Sequence, residues 1–496
     1  MRRWVAARSG AFWIVAGLTV LAAALRFATL DVQSYHHDEV VTASRILRED
    51  FWHAMDAVGF SESAPPLYYA LAWLWTQLTG TGEYGLRSLS AIAGVATVPV
   101  AYLFGRALRG RRAGIAAAAL VAVNPMMLWY SQEARAYALL VLLCTASAVY
   151  FVRALDEGRR RDLGWWGLFS GLALATHYFA VFPIALEALW LAWKRGRQAL
   201  AGISIVALFG LALAPLAYHQ MSSGHAEWIA EHALSHRAWE TVATFFVGET
   251  GDIIAQPENP LNAIVPFALA LVAVLLVWVR GSAEERRRAT IPLLLAGAAT
   301  VIPLAIAIAS PGKDFVLARN LIAALVPLLA AIAVGVTLDG ARRVGIVVGA
   351  ALIAYSLAFS VVASVSPSLQ RPDWRAVAER LGTPEQPRAI VTWSLGQASL
   401  RRYRAEGSFQ AFQSERYEWR VHEVDFVSDG PAPPPPAGAL APGFRQVAYE
   451  RVGDRLYIRR YALPGPDLGP LKLREAREAD LNFRSNAVLI DGVGAG

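Results

Sequence analysis

Residues 11–30 read AFWIVAGLTVLAAALRFATL, and residues 31–39 continue DVQSYHHDE. The first stretch is long enough to cross a hydrocarbon core as a helix, which takes roughly 20 apolar residues. Arg2, Arg3 and Arg8 precede it. Because it outlasts the apolar region of a secretory leader and lacks a small-residue cleavage site, it reads as a first membrane span with its N-terminus inside. The acidic and imidazole groups of the second stretch then emerge at the outer membrane edge.

The same pattern repeats along the chain. Of 496 residues, 55% are apolar and 17% charged, which describes a bilayer protein better than a soluble domain. Eleven spans are expected, near Ala11–Leu30, Leu86–Phe104, Ala113–Trp129, Ala136–Val152, Gly164–Thr176, Phe179–Trp193, Leu200–Tyr218, Leu261–Val279, Ala289–Ser310, Asn320–Thr337 and Val344–Val365. That count places Arg106/Arg109/Arg111/Arg112, Arg153/Arg159/Arg160/Arg161, Lys194/Arg195/Arg197, Arg280/Arg286/Arg287/Arg288 and Arg342/Arg343 on the inner side, as the positive-inside rule requires. The basic excess therefore sets orientation, and nucleic acid is not an expected partner. Pro66–Leu78 is too short to span and follows a proline pair, so it reads as an interfacial or re-entrant helix. Cys144, the one cysteine, lies in an apolar run, which excludes an intramolecular disulfide.

Residues 1–365 thus form a transmembrane module with outer loops at 31–84 and 219–260. Residues 366–463 read as a small extracytoplasmic α/β domain: an amphipathic helix to Leu381, then strand patterns at Ala389–Trp393, Val421–Phe426, Arg445–Glu450 and Leu456–Tyr461. Trp374 is expected to anchor at the membrane interface. Residues 464–496 are poor in apolar periodicity and read as a flexible tail.

Ionisable residues at membrane depth are costly unless paired or solvated, which marks three clusters. In Tyr35-His36-His37-Asp38-Glu39, one carboxylate can deprotonate an acceptor hydroxyl while the other orients it or holds a divalent metal with a histidine. The alternative is a solvated loop in which Asp38 caps a helix starting near Val40. In Ser131–Tyr137, Glu133, Arg135 and Tyr137 either face a polar cavity or cap and pair locally. Lys313-Asp314 and Arg319 open the tenth span, where a guanidinium can grip a lipid phosphate or snorkel to headgroups. His177-Tyr178 marks the turn of a short hairpin. His219, His225, His232 and His236 lack the spacing of a helical zinc motif, and no Walker loop, dinucleotide fingerprint or nucleophile elbow occurs.

The Asp38-Glu39 pair, Pro65-Pro66-Leu67-Tyr68-Tyr69, Ser131–Leu139, Thr176-His177-Tyr178-Phe179, Arg319 ahead of Pro327, and Asp373-Trp374-Arg375 occur in an order that resembles the GT-C-fold membrane glycosyltransferases. The resemblance is to the family 39-like branch of protein O-mannosyltransferases and lipid A aminoarabinose transferases, and it covers nearly the whole chain. It implies transfer of a sugar, with inversion, from a polyprenyl-phosphate donor to an envelope lipid, glycan or protein acceptor at the outer face of a bacterial cytoplasmic membrane. It further implies Asp38 as general base with Glu39 beside it, Arg319 and Lys313 on the donor phosphate, and His37, Tyr68, Glu133, Arg135 and Tyr137 in the substrate cavity. Ala64 stands where relatives often carry a basic residue, so no contact is expected from there. A transporter or flippase of a lipid-linked saccharide is the rival reading; such proteins commonly show internal repeats, and none is seen.

Overall fold

The computed structural model describes residues 2–47, 50–222, 229–230, 232–249, 260–310, 314–404, 410–412, 419–436, 438–481 and 486–491. The chain divides into two compact units, one of Met1–Leu30 with Arg45–Val365 and one of Asp31–Ser44 with Ser366–Gly496. The segment carrying Asp38 and Glu39 therefore belongs with the C-terminal unit and not with the helical module to which the outer loop was assigned.

The first unit is helical and makes the chain a multi-pass membrane protein. Among the described residues, seven helices are long and apolar enough to cross a bilayer, or eight if one bent pair is a single span. Each expected span contains helix, but the eleven expected exceed this count. Arg160–Leu174 and Val181–Arg195 have 15 residues each, and Leu325–Val336 has 12. At about 1.5 Å per residue these fall short of a core about 30 Å thick. Leu67–Thr79, the expected interfacial segment, is a 13-residue helix behind Pro66.

The helical unit has two chemically distinct ends. At one end the arginine-rich connections meet acidic partners: Arg109 pairs with Glu285 and Asp339, Arg112 with Asp339, and Arg288 with Asp156. At the other, Gln132 donates to the carbonyl of Arg26 (2.9 Å), Gln220 to those of Val58 and Ala64 (3.1 and 3.2 Å), and the amide of Leu67 to Ala175 (3.0 Å). Packing between is close. A Cβ on Gly167 would sit 2.6 Å from the Gly202 carbonyl oxygen, so Arg160–Leu174 and Leu200–Met221 touch backbone to backbone, as small residues allow in membrane bundles.

The third expected span breaks at Asn124, where Arg111–Val123 and Pro125–Ser131 meet at 58°. The cause is the proline, which cannot continue the hydrogen-bond ladder and leaves the carbonyls before it without their usual partners. Each finds a side chain instead. Arg26, fully buried, donates to Ala122 (3.0 Å) and Val121 (3.3 Å), and Ser360 donates to Val123 (2.8 Å). Asn124 accepts from the Met127 amide (3.0 Å) and so caps the second segment. Gly94 makes room, because a Cβ there would collide with the Ser131 side chain that accepts from Arg26 Nε. Arg26→Met is expected to cost on the order of 3 kcal/mol by stranding buried carbonyls; thermal unfolding of the purified protein measures it.

The second unit is built on a sheet. Its strands are β1 (Arg388–Trp393), β2 (Gln410–Phe412), β3 (Trp419–Val421), β4 (Glu423–Asp429), β5 (Arg445–Val452), β6 (Leu456–Ala462), β7 (Gly469–Leu471) and β8 (Asn486–Asp491). Six of them order as β2-β8-β1-β4-β6-β5, with β3 and β7 pairing separately. Only β1 and β4 run parallel within the large sheet. The two-residue period of strands sends Ala389 and Val391 to one face, with Leu473 and Ala476, and Ile390 to the other, with Trp374, Val377 and Leu400.

Two expectations change here. The stretch expected as a flexible tail, 464–496, contains a strand at 486–491: β8 pairs with β1 along its whole length from Arg388↔Asp491 to Trp393↔Asn486. Asp491 is held there by Arg388 (2.8 Å) and Arg404 (2.5 Å). Trp374 is buried in the core of this unit, where a Cβ on Gly396 would collide with its ring, so packing and not the membrane interface takes it.

Candidate functional site

In the second unit the turn at His36 carries the acidic pair. His36 stands at the N-cap of the short helix His37–Val41, and Glu39 reaches back to accept from the His36 amide at 3.0 Å. Asp38 is thus in the first turn of the helix, not at its cap. The two carboxylates have different environments. Glu39 is fully buried and lies 3.4 Å from the Arg371 guanidinium, whereas 23% of the Asp38 side chain is exposed. The Tyr35 amide donates to the Tyr403 hydroxyl (2.5 Å), and the Ser34 hydroxyl donates to the Pro372 carbonyl (2.9 Å), tying the turn to its own unit. His37 Nε2 is 3.4 Å from Asp38, and its ring meets Trp393 edge to face.

His36, His37 and Asp38 each offer one ligand atom, all within 4.8 Å of one another. Two imidazoles and a carboxylate are a donor set that suits a divalent transition metal. Glu39, the other expected candidate, is turned away into its pairing with Arg371.

In the helical unit the polar end gathers a second group. Arg135 forms a two-pronged pair with Glu62 (3.0 and 2.7 Å), and the Tyr69 hydroxyl donates to the same carboxylate (2.7 Å). Glu62 lies two residues before Ala64, so its carboxylate supplies a charged group beside the position where a basic one was missing. Tyr68 is fully buried, its hydroxyl 3.1 Å from that of Ser90. Tyr137 stacks on its edge against Tyr130 and lies 5.8 Å from the His177 ring. Glu133 is buried, and the Tyr130 hydroxyl donates to Glu249.

Asp314 is locked by Arg237, which reaches it with both terminal nitrogens (2.5 and 3.1 Å), and that guanidinium holds the carboxyl below its ordinary range. Arg319 follows five residues later, half-buried, and its charge is felt by Tyr130, His177 and Glu240. Lys313 and His225 lie outside the described residues. Sequence reading missed Glu62, Arg237, Glu240, Glu249 and Arg371; a carboxylate beside a proline pair was the one visible signal.

His177 caps the turn Tyr178–Ala180 by accepting from the Phe179 amide (3.2 Å). Burial first, then Arg135 and Arg319, lower its pKa from 6.5 to about 4. Because the folded pKa is depressed, the stability linked to neutral His177 is present above pH 6.5 and is lost as pH falls toward 4, by on the order of 3 kcal/mol. His177→Gln is expected to flatten that limb of a melting-temperature profile against pH.

Across 90% of this chain and 97% of the other, the fold superimposes on the crystal structure of ArnT from Cupriavidus metallidurans bound to undecaprenyl phosphate, with a TM-score of 0.56 at 15% identity. The chain has the GT-C fold. An Archaeoglobus fulgidus oligosaccharyltransferase in complex with zinc and sulfate also aligns with this GT-C chain, at TM-score 0.47 and 16% identity over 75% of it and 56% of the relative. The S. cerevisiae protein O-mannosyltransferase Pmt1-Pmt2 complex bound to the sugar donor aligns at TM-score 0.35 and 19% identity, over 46% and 36%. By sequence, residues 63–219 match the dolichyl-phosphate-mannose-protein mannosyltransferase family. That region of the GT-C chain includes Tyr68, Glu133, Arg135, Tyr137 and His177. No curated protein matches the chain by sequence.

Proposed function

We propose that this GT-C-fold protein is a glycosyltransferase that moves a sugar from a polyprenyl-phosphate donor to an envelope lipid, glycan or protein, inverting the anomeric carbon. The observation that carries the reading is the concentration of buried ionisable groups around Arg319 at one end of an apolar bundle, opposite the arginine-rich connections. Such groups are costly at membrane depth and mark a polar site. A donor of this kind can keep its tail in lipid while its head meets them.

Asp38 takes the proton of the acceptor hydroxyl. The acceptor oxygen attacks the anomeric carbon opposite the phosphate, the bond to the phosphate oxygen breaks, and Arg319 neutralises the charge that grows there. Lys313 adds a second cation, Tyr68, Glu133, Arg135 and Tyr137 shape the polar end of the helical unit, and His37 stands beside Asp38. Glu39 positions Asp38 through the capped turn and Arg371. A divalent ion on His36, His37 and Asp38 would acidify a hydroxyl bound to it. The positive-inside pattern supports an N-terminus in the cytoplasm and a sheet unit outside a bacterial cytoplasmic membrane.

The purified protein in lipid nanodiscs, given a polyprenyl-phosphate sugar, should release polyprenyl monophosphate and leave the sugar on an acceptor with inverted configuration. In sealed vesicles a flippase would move the donor between leaflets with its glycosidic bond intact, and that result would replace this reading.

A further inference from the structure

The helix Leu234–Val247 carries a carboxyl that neither the fold nor the proposed reaction uses. Glu240 is 3% exposed, and its Oε2 has no hydrogen-bond partner among the described residues. The charged groups that act on it are Arg237 one turn back, Glu249 beyond the helix, and Arg319 from the turn before Leu325–Val336. Arg237 is committed to Asp314 and to the carbonyls of Val316 (2.9 Å) and His232 (2.9 Å). Glu249 takes the Tyr130 hydroxyl from the helix Pro125–Ser131 that packs alongside. Of the other neighbouring helices, Leu261–Arg280 carries its one charged residue, Arg280, at its far end, while Arg342–Val365 brings Tyr355, whose hydroxyl is used by the Asn262 carbonyl (2.7 Å).

Arg319 acts on Glu240, and on Tyr130 together with Glu133 and Glu249; a phosphate approaching Arg319 would be repelled by these carboxylates if all were ionised. The repulsion is relieved if one carboxyl is neutral. Burial, then Glu249, pushes Glu240 up to about 8, with Arg319 and Arg237 pulling the other way. At neutral pH it is a carboxylic acid, which donates a hydrogen bond where a carboxylate only accepts.

We propose that Glu240 is a second ligand of the donor phosphate, presenting its acid hydrogen to a phosphate oxygen beside Arg319. This rests on the assignment of Arg319 to that phosphate. The site then binds a phosphate ester together with a proton, and it weakens as Glu240 ionises.

Polyprenyl monophosphate titrated calorimetrically into the full-length protein in nanodiscs from pH 7 to 9.5 tests this, because the phosphate, with a second pKa near 6, stays dianionic over that range. Wild-type affinity should fall about tenfold per pH unit above about 8, and binding at pH 9 should take up about one proton, read from two buffers of different ionisation enthalpy. Glu240→Gln keeps an N–H donor and should bind without either effect. Wild-type binding that takes up no proton overturns the proposal whether or not the variant folds, and so does a Glu240→Gln slope equal to wild type. Arg319→Ala separates the two assignments. If it binds as wild type does, the phosphate assignment itself fails; if it loses binding while Glu240→Gln keeps the wild-type slope, only Glu240 is wrong.

Discussion

Asp38→Asn is expected to abolish sugar transfer while leaving expression, membrane insertion and thermal stability close to wild type. An amide cannot accept the acceptor's proton at a useful pKa, and general-base catalysis typically contributes about 10²–10⁴-fold. Stability should survive because Asp38 does not cap its helix: His36 holds that position and Glu39 closes it. Glu39→Gln should differ in kind. It removes a fully buried charge facing Arg371, 3.4 Å away, so it should lower the melting temperature of the sheet unit as well as turnover. The pair of variants therefore separates the carboxylate that reacts from the one that positions it. Turnover by Asp38→Asn near the wild-type rate would remove the base assignment.

Arg319→Lys is expected to remain clearly defective in donor binding despite keeping a positive charge. A planar guanidinium can grip two phosphate oxygens at once, and a lysine ammonium cannot. Losing the charge-assisted contacts should cost about 1–3 kcal/mol, or roughly 5- to 150-fold in affinity. If Arg319 instead snorkels to headgroups, lysine would do as well, so equal affinity for polyprenyl monophosphate would decide against the phosphate role. The substitution tests chemistry more than fold, since Arg319 is only half-buried and Asp314 nearby is already held by Arg237.

The sequence made the helical bundle and its arginine-rich end legible because apolar runs and arginine clusters are local signals. Its eleven crossings exceed the seven or eight helices that are long and apolar enough among the described residues, because helices such as Leu325–Val336 are apolar yet short. The strand Asn486–Asp491 was invisible for a related reason: its short apolar run, Ala487-Val488-Leu489-Ile490, acquires meaning only from β1 and β2 on either side. Among the candidate groups, Asp38 and Arg319 stood out because they interrupt apolar surroundings. Glu62, Glu240 and Arg237 did not, since each sits in a mixed stretch that reads as ordinary surface helix, and their burial comes from partners far along the chain. Arg26 drew no notice in the sequence, yet it completes the hydrogen bonding of a break almost a hundred residues away.

The most direct measurement of the central claim is mass spectrometry of lipid-linked sugars and envelope glycans and lipids from a strain lacking the protein, complemented with wild type or with Asp38→Asn. Loss of one sugar from a defined envelope acceptor, with accumulation of the corresponding polyprenyl-phosphate sugar, restored by wild type and not by Asp38→Asn, is the predicted result. An unchanged envelope and donor pool, or full restoration by Asp38→Asn, would contradict it.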